Sequence, residues 1–281
     1  MKKGKAPLGQ NFLTDGYYKN KVLKLIDVKE GESVVEVGAG EGQITEGLLR
    51  KGAVVTAIEL DPRLAASLRE KFGGKVRVIV GDVLKMDFLT PPFSDSTVVS
   101  NLPYYITSPF LYKMVGVVRM EEGRLKSSWR GAYITLQKEV AEKITLKDGR
   151  APTRLSALLN LRFLVEPLLS IPRDAFTPQP QVDSVLLRFL PREMLEHSPG
   201  DERIFDALLK RVYSRKRRKL KNTLEGFMNL RLEDVRSILG EDDWVLEKRP
   251  GELNVYDLAR VSYRIWQRVK VERNIGGQRV K

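Results

Sequence analysis

Asn101-Leu102-Pro103-Tyr104 follows the apolar run Thr97-Val98-Val99 and so stands where a buried strand should end. Open α/β sheets carry their ligands at that edge. A carboxamide, a main-chain carbonyl fixed by proline and an aromatic ring can together hold an aromatic amine by its two protons while the ring behind it is stacked. The competing reading is a strand that merely turns at Pro103-Tyr104, and only the surrounding elements separate the two.

Those elements begin upstream. Ser33-Val34-Val35-Glu36-Val37 is β-branched and almost uninterrupted, as a strand buried on both faces is, and it runs into Gly38-Ala39-Gly40-Glu41-Gly42. Residues 43–51 continue with helical apolar spacing, so the unpaired amides of a helix N-terminus face whatever the glycines admit. The glycines are spaced G-x-G-x-G, which argues against the G-x-G-x-x-G of dinucleotide enzymes. A second strand over 53–58 ends in Glu59-Leu60-Asp61, and Glu59, about 20 residues past the glycine turn, is placed to accept ribose hydroxyls. Asp61 before Pro62 reads as the N-cap of a helix over 62–72. A third strand over 76–80 ends in Gly81-Asp82; with no capping role evident, Asp82 is read as an acceptor for an adenine amine.

This set of motifs resembles the small-subunit ribosomal RNA adenine dimethyltransferases. Gly9-Gln10-Asn11-Phe12-Leu13 is similar to that family's N-terminal motif, Glu36 to Gly42 to its first cofactor motif, and Gln137-Lys138-Glu139 to a strand–helix junction. Phe176-Thr177-Pro178-Gln179-Pro180-Gln181-Val182-Asp183-Ser184 matches its F-x-P-x-P-x-V-D-S stretch, while Ala39 stands where the family usually has proline. The resemblance implies an α/β, Rossmann-like class I methyltransferase sheet over 1–192 and a smaller all-helical domain over 200–281 that binds RNA. It implies S-adenosylmethionine as cofactor, held by Asn11, Leu13, Gly38, Glu59, Asp82 and Asn101, with Glu36, Gly40, Leu60 and Val83 beside them. The residues themselves agree for Gly38, Glu59, Asp82 and Asn101. For Asn11 and Leu13 a packing plug over the sheet edge is an equally valid reading. Glu36, Glu59 and Asp82 are expected to give the sulfonium an acidic pocket.

The implied reaction is transfer of two methyl groups to the 6-amino group of each of two adjacent adenosines in the 3′-terminal hairpin loop of small-subunit rRNA. Asn101, Leu102 and Pro103 would orient the amine, and Tyr104 and Phe176 would grip the ring. Phe176 to Ser184 also reads as a mere polyproline connector. A DNA adenine methyltransferase would carry proline at Leu102 and a target-recognition insertion. A large-subunit rRNA methyltransferase of the antibiotic-resistance type would carry isoleucine at Leu102 and asparagine at Asp183. A third alternative is an assembly factor on the immature small subunit, with methylation secondary.

Composition sets the remaining bounds. The chain has 281 residues, 42% of them hydrophobic, enough for a large α/β domain and a smaller one. Without cysteine there are no disulfides, no thiolate catalysis and no Cys-type zinc site. The one histidine, His197, lies in a polar Pro/Gly stretch and reads as a linker residue. No apolar run reaches membrane-spanning length, and the basic Met1–Lys5 start lacks the apolar segment of a signal peptide. A monomeric, metal-free cytoplasmic enzyme is the expectation.

Net charge is +13, and residues 210–221 carry eight basic residues and no acid. So dense a block repels itself unless a polyanion is near, so Arg215, Lys216, Arg217, Arg218, Lys219 and Lys221 are read as RNA phosphate contacts in preference to a nuclear-import patch or a solvated helix face. Here the chain resembles the family's R-R-K-T-L-x-N segment, with Lys219 at the small hydroxyl position. Beyond a polar linker at 191–201, helices are predicted over 204–212, 232–239 and 255–269, the last capped by Asn254. Trp244, Tyr256, Tyr263 and Trp266 offer base-stacking faces, though their spacing favours a small-domain core.

Overall fold

A computed structural model describes residues 11–121, 124–146 and 152–277, with side chains to residue 270. Met1–Lys5 and Gly9–Gln10 lie outside the described residues. The chain separates into two compact units, residues 1–145 with 162–193, and residues 146–161 with 194–281.

In the first unit the elements run β1 (Phe12–Leu13), α1 (Gly16–Leu25), β2 (Ser33–Val37), α2 (Gln43–Arg50), β3 (Val54–Glu59), α3 (Pro62–Phe72), β4 (Val76–Val80), β5 (Ser96–Asn101), α4 (Thr107–Val115), β6 (Val118–Glu121), β7 (Arg124–Ser127), β8 (Trp129–Gln137) and α5 (Lys138–Thr145). After α6 (Arg154–Arg162) come β9 (Phe163–Ile171), β10 (Phe176–Thr177) and β11 (Ser184–Pro191). Seven of the described strands form one sheet in the order β4-β3-β2-β5-β8-β11-β9. Neighbouring strands among β4, β3, β2, β5 and β8 are parallel, and β11 lies antiparallel between β8 and β9. This is the Rossmann-like sheet that the motifs imply.

The parallel strands are those whose sequences read as continuous apolar runs, and Val34, Val35, Val55, Ala57, Val98 and Val99 are all buried in them. Chain connections leave β2 toward β3 on one side, while β5 occupies its other side, so the strand order reverses between β2 and β5. Ligands of open α/β sheets bind at such a reversal. The register pairs Val37 with Ser100, which brings the glycine turn after β2 level with Asn101 at the end of β5. Asp61 caps α3 as the sequence predicts, accepting from the Arg63 amide with Pro62 in the first turn.

The second unit is helical: most of α6, then α7 (Glu202–Ser214), α8 (Leu220–Leu224), α9 (Leu232–Leu239) and α10 (Val255–Gly277), joined by short 3₁₀ turns. Leu208, Leu209, Val212, Leu220, Leu224, Leu258, Val261 and Ile265 form its buried apolar positions. Asn254 caps α10, accepting from the Tyr256 and Asp257 amides. A single division near 192–200 places residues 146–161 with the sheet; they belong instead to this unit, where the Arg154 guanidinium donates to Asp206 at 2.6 and 2.9 Å.

Candidate active site

Asn101 is the last residue of β5, and its Nδ2 donates to the Asn11 main-chain oxygen at 2.8 Å. That bond fixes the carboxamide and leaves Oδ1 without a partner among the described residues. Asn11 precedes β1, which pairs antiparallel with β10 through Phe12↔Thr177 and Leu13↔Phe176. The Thr14 and Thr177 hydroxyls, 2.9 Å apart, extend this short ladder. Leu13 is buried in the core, so the plug reading is right for its side chain; the same segment also orients Asn101 and lines the cleft.

Two hollows meet at Gly38. One is lined by Phe12, Leu13, Glu36, Gly38, Ser100 and Asn101 among others, the second by Gly38, Glu59, Leu60, Asp82, Val83 and Pro103 among others. Gly38 (φ +71°) and Gly40 (φ +57°) occupy the left-handed region that glycine tolerates. At Gly40 a Cβ would come within 2.6 Å of the Phe12 ring, so β1 is packed directly onto the turn.

Glu59 is buried and already used as an acceptor: Oε2 takes the Gly40 amide and Oε1 the Asp61 amide, both at 2.9 Å. Each carboxylate oxygen keeps a second acceptor direction, so the residue both ties the glycine turn to β3 and offers acceptors to the cleft. For Asp82 the sequence reading needs correction. Oδ1 accepts from the Leu84 amide at 2.9 Å and caps a 3₁₀ turn at Val83–Lys85, a role that Asp82 shares with Asp61.

Glu36 also departs from expectation. It is 4% exposed, and Thr45 Oγ1 donates to its Oε2 at 2.5 Å. Burial drives its pKa up to about 8, with the Thr45 hydrogen bond opposing and the Glu59 charge adding to the rise. At neutral pH it is therefore protonated and adds no negative charge to the acidic pocket expected of three carboxylates.

Leu102 is buried at 2% exposure and pins the main chain behind the tetrapeptide, and Pro103 holds φ at −55°. Tyr104 is half-buried; its hydroxyl lies 3.3 Å from Ser184 Oγ, and burial raises its pKa. Ser184 thus anchors the ring, while Asp183 Oδ1 accepts from the Arg173 amide and its carbonyl accepts from Lys138. These bonds give the Val182-Asp183-Ser184 stretch a structural reason. Phe176, expected to supply a second stacking face, is instead a core side chain at 3% exposure that lines neither hollow, because β10 turns it inward beside Leu13. The sequence reading missed Tyr105, which is 55% exposed and lines the Glu59–Asp82 hollow. Its one signal was a second aromatic after Pro103.

In the second unit α7 ends at Ser214, so the basic block is not one helix. Ser214, Arg215, Lys216, Arg217 and Arg218 line a shallow hollow, with no ion pair formed by the four basic side chains among the described residues. Lys219 and Lys221 differ from the expectation of free phosphate contacts. Both donate to Glu247, at 2.9 Å, and hold its pKa down to about 2. Arg211 turns inward, donating to the Thr223 and Glu225 carbonyls. Tyr263 and Trp266 pack together at 5.5 Å but stay half-buried rather than in the core, while Trp244 is exposed.

A Gly-rich turn after the first central strand, a buried acid after the second and a ligand cleft at the strand-order reversal are the features of the class I, Rossmann-like fold, and the family match makes the chain an S-adenosylmethionine-dependent methyltransferase of that fold. The model of the ribosomal RNA adenine dimethylase family matches residues 1–254, and the chain belongs to that family. It is 32% identical over 259 residues to ribosomal RNA small subunit methyltransferase A of Pseudomonas putida, covering 90% of this chain and 92% of the relative. With the protein of the same name from Paraburkholderia xenovorans the identity is 35% over 263 residues, 90% of each chain. Among solved structures, a dimethyladenosine transferase from Plasmodium falciparum superposes with a TM-score of 0.73 at 23% identity, over 89% of this chain and 95% of its own. The 23S rRNA methyltransferase ErmE superposes with a TM-score of 0.69 at 24% identity, over 90% and 99%. Both show the fold.

Proposed function

We propose that this chain dimethylates the 6-amino groups of two adjacent adenosines in the 3′-terminal hairpin loop of small-subunit rRNA, on the immature small subunit. The observation that carries the reading is Asn101: its amide nitrogen is tied to Asn11 and its Oδ1 is open beside Gly38 at the end of β5. Family membership supplies the adenine, and the names of the curated relatives point to the small subunit.

The residues present fit S-adenosylmethionine. Glu59 and Asp82 offer acceptors for hydroxyls and an amine, Leu60, Val83 and Pro103 give apolar walls, and Gly38 joins the two hollows. When bound, that cofactor supplies an electrophilic sulfonium methyl group. An adenine amine is a poor nucleophile because its lone pair is delocalised into the ring. Asn101 Oδ1 and the Leu102 carbonyl accept one amine proton each, bias the nitrogen toward tetrahedral geometry and free the lone pair for attack. The proton becomes acidic only once the nitrogen carries positive charge, so no prior general base is needed. After one transfer a single N–H remains, which one acceptor suffices to aim again. Tyr104 presents the ring support; Phe176 backs the segment from the core.

Mass spectrometry of small-subunit rRNA after incubation with wild-type protein should show dimethyladenosine as the end product, and Asn101→Ala should give none while keeping its fold. Accumulation of monomethyladenosine at saturating enzyme and cofactor would overturn the reading. We assign the exposed Arg215–Arg218 turn to rRNA phosphate contact in the helical unit. Monomeric, metal-free action in the cytoplasm completes the proposal, and no helix among the described residues is long and apolar enough to cross a membrane.

A further inference from the structure

We propose that the outward face of α1 is a second rRNA contact, one that takes the unpaired nucleotides flanking the target adenosine; this rests on the function proposed above. α1 buries Val22 and Leu23, and Val22 lines the cleft with Asn101. Away from that face, Tyr17, Lys21 and Leu25 succeed one another at intervals of four residues and form one exposed stripe. Tyr17 is 61% exposed, and the Lys21 ammonium lies 4.3 Å from the centre of its ring.

Single exposed apolar residues need no explanation, but a tyrosine, a cation and a leucine in one row on a helix lacking any carboxylate form a pattern. Lys24 is accounted for by the helix dipole, since it stands in the last turn. Lys21 has no such reason, and it forms no ion pair among the described residues. Asp15, the carboxylate just before the helix, is occupied as its N-cap, accepting from the Tyr17 and Tyr18 amides. Asp27 follows beyond the last turn, past the buried Ile26.

Position supports the same partner. α1 begins three residues after Leu13, in the segment whose Asn11 carbonyl holds Asn101. A helix is about 10–12 Å across, so the stripe lies one helix width from the cleft. An aromatic face with cations beside it is how proteins take unstacked bases and their phosphates without reading sequence. Bases next to an adenosine withdrawn for chemistry are unstacked in that way. Tyr17 stacks a flanking base, and Lys21 beside it neutralises a neighbouring phosphate.

The test uses full-length protein and small ribosomal subunits lacking the modification. Tyr17→Ala should raise the KM for particles roughly fivefold or more, the lower end of what losing one stacked base does, with kcat and cofactor affinity unchanged. Tyr17→Phe should restore the wild-type KM. Lys21→Gln should flatten the salt dependence of particle binding by about 0.7 log units for the phosphate no longer neutralised. A benzophenone side chain introduced at position 17 should cross-link to rRNA on irradiation. Unchanged KM and salt slope, or cross-links to ribosomal protein alone, would overturn the proposal. Wild-type protein that transfers no methyl group to the particles would overturn the function instead.

Discussion

At the residue scale the cleft runs on side chains with two duties. Glu59 holds the Gly40 and Asp61 amides while lining the hollow it shares with Leu60, Asp82 and Val83, so removing it leaves one buried and one part-buried donor unpaired. Glu59→Ala should weaken S-adenosylmethionine binding by about 1.5–3 kcal/mol and also lower unfolding stability by about 1–3 kcal/mol, as calorimetry and urea melts would show. Unchanged cofactor affinity would remove it from the site. Glu36 makes a pH-dependent contribution of the opposite sign to most carboxylates. Its pKa rises from 4.5 to about 8 on folding, so the folded chain holds a proton that the unfolded chain has lost between those values. Stability from this group is greatest below pH 4.5 and declines as pH climbs to about 8, with a slope of up to about 1.4 kcal/mol per pH unit. Glu36→Gln keeps the neutral form, and its melting temperature should rise relative to wild type across that window. Parallel curves would mean that Glu36 is ionised in the free chain.

At the scale of elements, the loop after β4 and helix α4 have to agree if the nucleoside end and the reacting end of the cleft are to be in register. Lys113, on α4, makes the join: its ammonium donates to the Leu84 carbonyl at 2.7 Å and to the Met86 carbonyl, and lies 4.7 Å from the centre of the Phe88 ring. Lys113→Met preserves the stem and removes both bonds. It should cost about 1.5–3 kcal/mol of stability and loosen cofactor binding, measured by denaturant titration and calorimetry. The elements themselves were readable. β2, β4, α3 and α9 lie where their apolar spacing and caps put them, because each carries its own signal within a few residues. Lys113 was not readable, nor was the β1–β10 pair, since two-residue strands have no periodicity and their partners lie more than 160 residues apart. The capping role of Asp82 was missed for a local reason, as a 3₁₀ turn is too short to announce its cap. Phe176 was misread for a distant one, its inward direction being set by Leu13 across the ladder.

Across the whole molecule, charge and catalysis are assigned to different parts of the chain, and they should separate in experiment. Replacing Arg215, Lys216, Arg217 and Arg218 by Gln should weaken particle binding and flatten its salt slope by about 0.7–0.9 log units for each phosphate left without its cation, with cofactor affinity intact. Lys219→Gln with Lys221→Gln should change that slope less than the Arg215–Arg218 set, because Glu247 already holds both side chains and offsets one of their two charges. The density of the block was plain in the sequence, but which cations are free depended on a carboxylate 26 residues away from Lys221. The order of strands bears also on how the protein is made. β11 inserts between β8 and β9, and among the described strands β1 pairs with β10, so the full sheet waits for the chain through residue 191 and the ladder beside Asn11 for the chain through residue 177. A nascent chain holding every residue from Asn101 to Tyr104 therefore still lacks a competent cleft, and an enzyme that modifies ribosomes acquires its activity only after most of its own translation is complete.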